Sequence, residues 1–185
     1  MSGKRGRCTL CTINKEDIKT MKQIKKLASL LLAAVLAMTL LAGCGSSSSL
    51  TDQVKGVLAD NYAVSDVELT YSKELDALAA KLMAEADKAA TKAENKDKTV
   101  LELLTDEEVV KAAGIDTTKG TYVVSAAENY ELASNTLNKQ KAVWIATVLM
   151  SNYKEIGSGS LQELGDCGLV MGKINGKEYF VWLLH

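Results

Sequence analysis

The chain has 185 residues, with 22 Lys+Arg against 23 Asp+Glu. Eight of the basic and two of the acidic residues lie in residues 1–43, so the remainder carries 14 lysines, no arginine and 21 acidic residues, a side-chain net of −7. Arginine is the side chain best matched to phosphate, so an acidic, arginine-free remainder argues against a nucleic-acid partner, and its surplus charge serves solubility.

Residues 1–20 precede Met21, a natural start, and read as an upstream extension. Their Cys8-Thr9-Leu10-Cys11 is a lone CxxC. A zinc site needs a second pair of ligands, and the single histidine is His185. Residues 21–43 read as a secretory signal. Met21-Lys22-Gln23-Ile24-Lys25-Lys26 is the basic head, Leu27 to Leu41 the apolar run, and Ala42-Gly43-Cys44 the small-residue cleavage region. The run is shorter than the roughly 20 apolar residues of a spanning helix. Leu41-Ala42-Gly43-Cys44 resembles the lipobox of bacterial lipoproteins. That resemblance implies a diacylglyceryl thioether on Cys44, a mature chain beginning there, and a lipid-anchored domain on the extracytoplasmic face of the cell membrane. Ser46 to Ser49 would be its flexible tether. Residues 44–66 are then the anchor, tether and lead-in, and residues 67–185 the domain.

The 142 residues from Cys44 suit one domain with a real core. Cys167 is the one cysteine beyond the anchor, so no internal disulfide is expected. Leu50 to Asn61 reads as a lead-in helix or ordered tether, and Val67 to Tyr71 as a short extended segment. Ser72 to about Asn95 is the clearest helix: Leu75, Leu78, Ala79, Leu82, Met83, Ala86 and Ala90 recur at helical spacing behind a Ser72 cap. Two capping boxes follow, Thr99 with Glu102 and Thr105 with Glu108. The second should open a helix that Gly114 closes.

Thr121 to Ala127 is rich in strand formers and ends at Glu128-Asn129. Asn138 to Met150 reads as a helix, although its β-rich centre also suits a buried strand. Gly157 to Gly165 is a small-residue loop, which lacks the lysine and spacing of a phosphate loop. Asn175-Gly176 between apolar runs predicts a type I′ hairpin joining Cys167–Ile174 to Lys177–Leu184. The second of these strands is apolar on both faces and should lie centrally, covered on both sides. Together these elements predict an α+β fold, an α-β-α sandwich around a small antiparallel sheet with a C-terminal hairpin.

Five local strings, in order, resemble the CAP superfamily of cysteine-rich secretory, antigen 5 and pathogenesis-related proteins, also called SCP-like domains. They are Leu69 to Ala79 (a short apolar segment into an alanine-rich helix), Ala127-Glu128-Asn129-Tyr130-Glu131, Trp144, Leu161 to Gly165 with Gly168 and Val170, and Asn175 to Trp182. The resemblance implies a cleft that in many members holds two histidines, two acidic residues and sometimes a divalent metal. Here neither histidine has a counterpart: none stands between Thr99 and Gly120, and Met150 or its neighbours occupy the second position. Glu128 is the one cleft residue that carries over. Asn129, Trp144 and Met150 are the other cleft candidates. The chain would be a degenerate member. Without imidazoles a transition-metal site lacks its usual ligands, and neither metal nor cofactor is expected.

Glu128 is the single candidate catalytic residue. Lacking a nearby histidine, it is expected to be structural, accepting backbone hydrogen bonds at a strand end. Cys167 is expected to be a buried structural thiol, since a reactive thiolate wants a base or a positive field, and the terminal His185 should fray. Trp144 and Trp182 are expected in the core. The leading expectation is therefore a non-catalytic module at the cell envelope, binding a small molecule, a cell-wall component or a protein. The alternatives are a carboxylate-dependent hydrolase of envelope polymers or peptides, which needs a second acid beside Glu128, and a structural lipoprotein of an envelope assembly.

Overall fold

The computed structural model describes residues 49–131, 137–157 and 165–185. The signal segment, the lipobox with Cys44, the CxxC, Ser46 to Ser48 and most of the Gly157–Gly165 loop lie outside the described residues. The chain divides into Met1–Ala42 and Gly43–His185, and all described residues belong to the second unit, which holds its own hydrophobic core.

Helix α1 spans Leu50–Ala63 and opens on a full capping box, with Ser49 as N-cap and Asp52 at its third position. Val54 and Leu58, four apart, are completely buried, and Asn61 continues the same stripe. This segment was expected as a lead-in outside residues 67–185, but its buried stripe packs it into the fold. Gly56 sits exposed in the helix interior, and a Cβ there would meet nothing within 4 Å. Glycine in such a place costs roughly 0.5–1 kcal/mol relative to alanine. Gly56→Ala is therefore expected to raise the urea midpoint by that amount of stability, and a lowered midpoint would show that something covers this face.

Strand β1 is only Thr70–Tyr71. Helix α2 spans Lys73–Ala90 behind Ser72, whose hydroxyl accepts from the Glu74 amide. Its buried stripe runs Leu75, Ala79, Leu82, Met83, Ala86, Ala89. The helix stops five residues before the expected Asn95, and Ala93–Asn95 forms a separate 3₁₀ turn. Helix α3, Val100–Leu104, has the expected Thr99–Glu102 capping box. The second expected box does not form. Thr105 is spent ending α3, where its hydroxyl donates to the Leu101 carbonyl, and Asp106 instead caps α4, Glu107–Ala112, by accepting from the Glu108 amide. Gly114 follows with φ of +81°, as its closing role requires.

Strand β2 is Tyr122–Glu128, helix α5 Asn138–Ser151, and the strands β3, β4 and β5 are Tyr153–Ile156, Asp166–Ile174 and Lys177–Leu184. They form one five-stranded sheet in the order β1-β4-β5-β2-β3. The β4–β5 hairpin turns on Asn175 and Gly176, with φ of +52° and +77°, the left-handed pair of a type I′ turn. The Asn175 amide is held by the Asp87 carboxylate of α2 at 2.8 Å. β5 lies between β4 and β2, the central position its double-sided apolar pattern demands. The sheet is mixed rather than wholly antiparallel, because β1 pairs parallel with β4; the long crossover through α2 to α5 permits that direction.

Alternation along the strands sends residues to two helical layers. Val124, Ala126, Val181 and Leu183 join the core beneath α2, α3 and α4. On the opposite face, Ser125 donates to the carbonyls of Leu149 and Asn152 at the end of α5. Trp182, 1% exposed, meets Tyr62 of α1 edge-on at 5.5 Å on that same face. The result is an α+β domain with helices on both faces of the sheet.

Candidate functional site

Glu128 ends β2, and the antiparallel register sets it opposite Tyr179 of β5. Residues two apart share a face, so Lys177 and Tyr179 both reach it. The Lys177 ammonium stands 3.1 Å from one carboxylate oxygen, and the Tyr179 hydroxyl donates to the other at 3.1 Å. Tyr130 supplies a further hydroxyl. Partial burial pushes the Glu128 pKa up, but Lys177, Tyr130 and Tyr179 outweigh it and leave the carboxyl below the usual glutamate range. The same carboxylate, with burial as the larger cause, raises Tyr179 to about 12. The expectation of backbone donors is corrected: side chains hold Glu128, because the β2–β5 register sets Lys177 and Tyr179 on its face.

Asn129 turns to the other face. Its side-chain amide donates to Glu178 at 2.8 Å and approaches the Met171 sulfur at 3.9 Å, while its backbone N–H bonds the Glu178 carbonyl. Its side-chain oxygen is enclosed and unpaired. Tyr130, 49% exposed, meets Trp144 edge-on at 5.6 Å. Trp144 is thus half-buried at the surface rather than in the core. The structure brings Glu128, Asn129 and, through Tyr130, Trp144 to one end of the sheet. Met150 does not join them. It lies six residues along α5 from Trp144, roughly 9 Å at helical rise, and is buried.

A carboxylate kept ionised by an ammonium and two phenols accepts hydrogen bonds well, but it makes a poor general acid at neutral pH. Among the described residues, no three of His, Cys, Asp and Glu gather as a metal site. Cys167 is fully buried. Burial pushes its thiol up to about 11, against smaller opposing effects of Trp182, Tyr71 and Lys55. The indole N–H of Trp182 makes no full hydrogen bond, and a sulfur beside it is only a weak acceptor.

His185 does not fray. Its backbone exchanges hydrogen bonds with Asp166 at 2.8 and 3.1 Å, and its ring lies 4.3 Å from that of Tyr122. Tyr122 belongs to the α2-side core, whereas Cys167 shares the opposite face with Trp182, so the imidazole serves neither the thiol nor Glu128. Sequence reasoning missed Lys177, Tyr179 and Tyr130 as the partners of Glu128. Comparison with protein-family models, with curated proteins and with solved structures finds no match.

Proposed function

We propose that this chain is a lipoprotein held by Cys44 on the extracytoplasmic face of the membrane, and that its folded unit is a degenerate CAP-like module that binds rather than catalyses. The observation that carries the second part is the state of Glu128. Hydrolysis by paired carboxylates needs one acid that keeps its proton near neutral pH. Glu128 is driven the other way, and its partners are an ammonium and phenols. The surface around it favours contact. Tyr130 and Met171 are about half exposed, and they flank the amide of Asn129, which mixes aromatic and thioether area with hydrogen-bonding groups. A cell-wall component, a small molecule or a protein could lie on such a surface. The anchor is supported by the ordered basic head, apolar run, lipobox and serine tether.

Two measurements test this reading. Expressed in a bacterial host, the full chain should incorporate labelled fatty acid, and Cys44→Ala should abolish it. Incubated with purified peptidoglycan, the unit 43–185 should release no soluble fragments, and Glu128→Gln should change nothing. Release that disappears in Glu128→Gln would establish a hydrolase instead.

The ion pair also sets a pH dependence. A carboxyl whose folded pKa is depressed adds stability above its unfolded pKa and loses it as pH falls through the lower folded value. Carbon-13 titration should place the Glu128 midpoint below the usual glutamate range. Lys177→Gln should move it upward, and an unmoved midpoint would mean that the ammonium does not hold the carboxylate.

A further inference from the structure

Two grooves open on the α2–α3 side of the sheet, and their charges differ. The larger, about 450 Å³, runs between α2 and α4. Its lysines are matched by carboxylates, in the pairs Lys88–Glu85, Lys92–Glu108 and Lys98–Asp106. The smaller, about 230 Å³, lies between residues 95–103 and the β4–β5 hairpin. It is lined by Lys96, Lys98 and Lys177, with Tyr179 beside them, and by no acidic residue. Beneath these exposed groups Ala90 and Val100, partly buried, give the groove an apolar floor above the core residues Leu103 and Ile174.

We infer that this smaller groove binds a small organic anion, a carboxylate or phosphate monoester whose apolar part lies on Ala90 and Val100. Three of the fourteen lysines beyond Cys44 converge on one concavity in a unit of side-chain net −7. Two of the three are paired with carboxylates outside the lining, so among the described residues the unbalanced charge at the groove is that of Lys96, one uncompensated cation in a unit that otherwise repels anions. Lys96 forms no ion pair among the described residues. Lys98 and Lys177 are held from outside the groove by Asp106 at 2.8 Å and Glu128 at 3.1 Å. An ammonium has three donors, so each of these lysines keeps N–H groups for an incoming anion while its carboxylate fixes its position. The space takes about eight water-sized groups at roughly 30 Å³ each, enough for a short chain and its head group.

The inference goes beyond the reading of Glu128 and needs neither the lipid anchor nor an inert carboxylate. Its test uses amide NMR of the unit 43–185 titrated with sodium hexanoate, sodium acetate and inorganic phosphate. Hexanoate should give saturable shifts confined to residues 96–103 and 173–179, with affinity roughly tenfold or more above acetate from the buried methylenes. Lys96→Gln should weaken it several-fold while leaving the rest of the spectrum in place. Added salt should weaken it in the native chain. Shifts that scatter over the surface lysines without saturating would overturn the site. Equal affinity for acetate and hexanoate would overturn the ligand class. Phosphate binding as tight as hexanoate would overturn the apolar half of the site.

Discussion

Gly168→Ala is expected to unfold the domain or to cost it about 3 kcal/mol or more, the upper range for forcing extra volume into a packed interior. The reason is how closely the first turn of α2 presses on β4. A Cβ at Gly168 would overlap the Leu75 carbonyl group and the Asp76 amide nitrogen. These are backbone atoms in a capped helix start, and they cannot swing aside as a side chain can. The same junction carries a second restraint: one carboxylate oxygen of Asp76 accepts the Leu169 amide at 2.8 Å, and the other lies 3.3 Å from the Lys55 ammonium. Shifting α2 to admit a methyl group would break that bond and leave a strand amide unpaired. Gly172→Ala is the control. Its Cβ would meet the Met83 sulfur at 2.5 Å, and a thioether side chain adapts, so about 1 kcal/mol or less is expected. Urea unfolding of the three proteins decides the matter. A Gly168→Ala midpoint equal to that of Gly172→Ala would mean that the helix can lift from the strand.

What the sequence makes legible here is what short-range chemistry determines. Ser72, Thr99 and Asn175-Gly176 act on atoms within a few residues, so their roles follow from spacing. The central place of β5 is legible because Phe180, Val181, Trp182, Leu183 and Leu184 leave no face for water. Strand β3 is not legible. Its Tyr153-Lys154-Glu155 is exposed and only Ile156 is buried, which is the composition of a charged edge strand and resembles a loop. Thr105 misleads because two helices meet there, and the residue that could open the second is already ending the first.

The surroundings of Glu128 need long-range information. Lys177 and Tyr179 lie 49 and 51 residues away, and only the pairing of β5 against β2 aligns them. The hairpin signal sets β4 against β5 but says nothing about β2. His185 looked free for a related reason, since its partners Asp166 and Tyr122 come from two other strands.

Deleting residues 50–63 should abolish cooperative unfolding and expose Cys167, which would place α1 inside the domain rather than before it. Val54 and Leu58 are fully buried and contribute roughly 1.5–3 kcal/mol each. Tyr62 covers Trp182, and the Lys55 carbonyl accepts from the Tyr71 hydroxyl at 3.1 Å. Against a typical stability of about 5–15 kcal/mol, losing these contacts together removes most of the margin. The thiol reports the result directly. In the intact fold its pKa of about 11 leaves about two orders of magnitude less thiolate at pH 8 than an ordinary cysteine has, and burial blocks the reagent as well. With Cys44→Ser in the unit 43–185, Cys167 is the sole thiol. Disulfide-exchange labelling should then be slow in the intact helix background and rapid once α1 is removed. A helix-deleted protein that melts cooperatively and keeps a protected thiol would show α1 to be dispensable. If α1 is required, it is the layer that covers Trp182 and Cys167, and the sheet cannot keep that face dry without it.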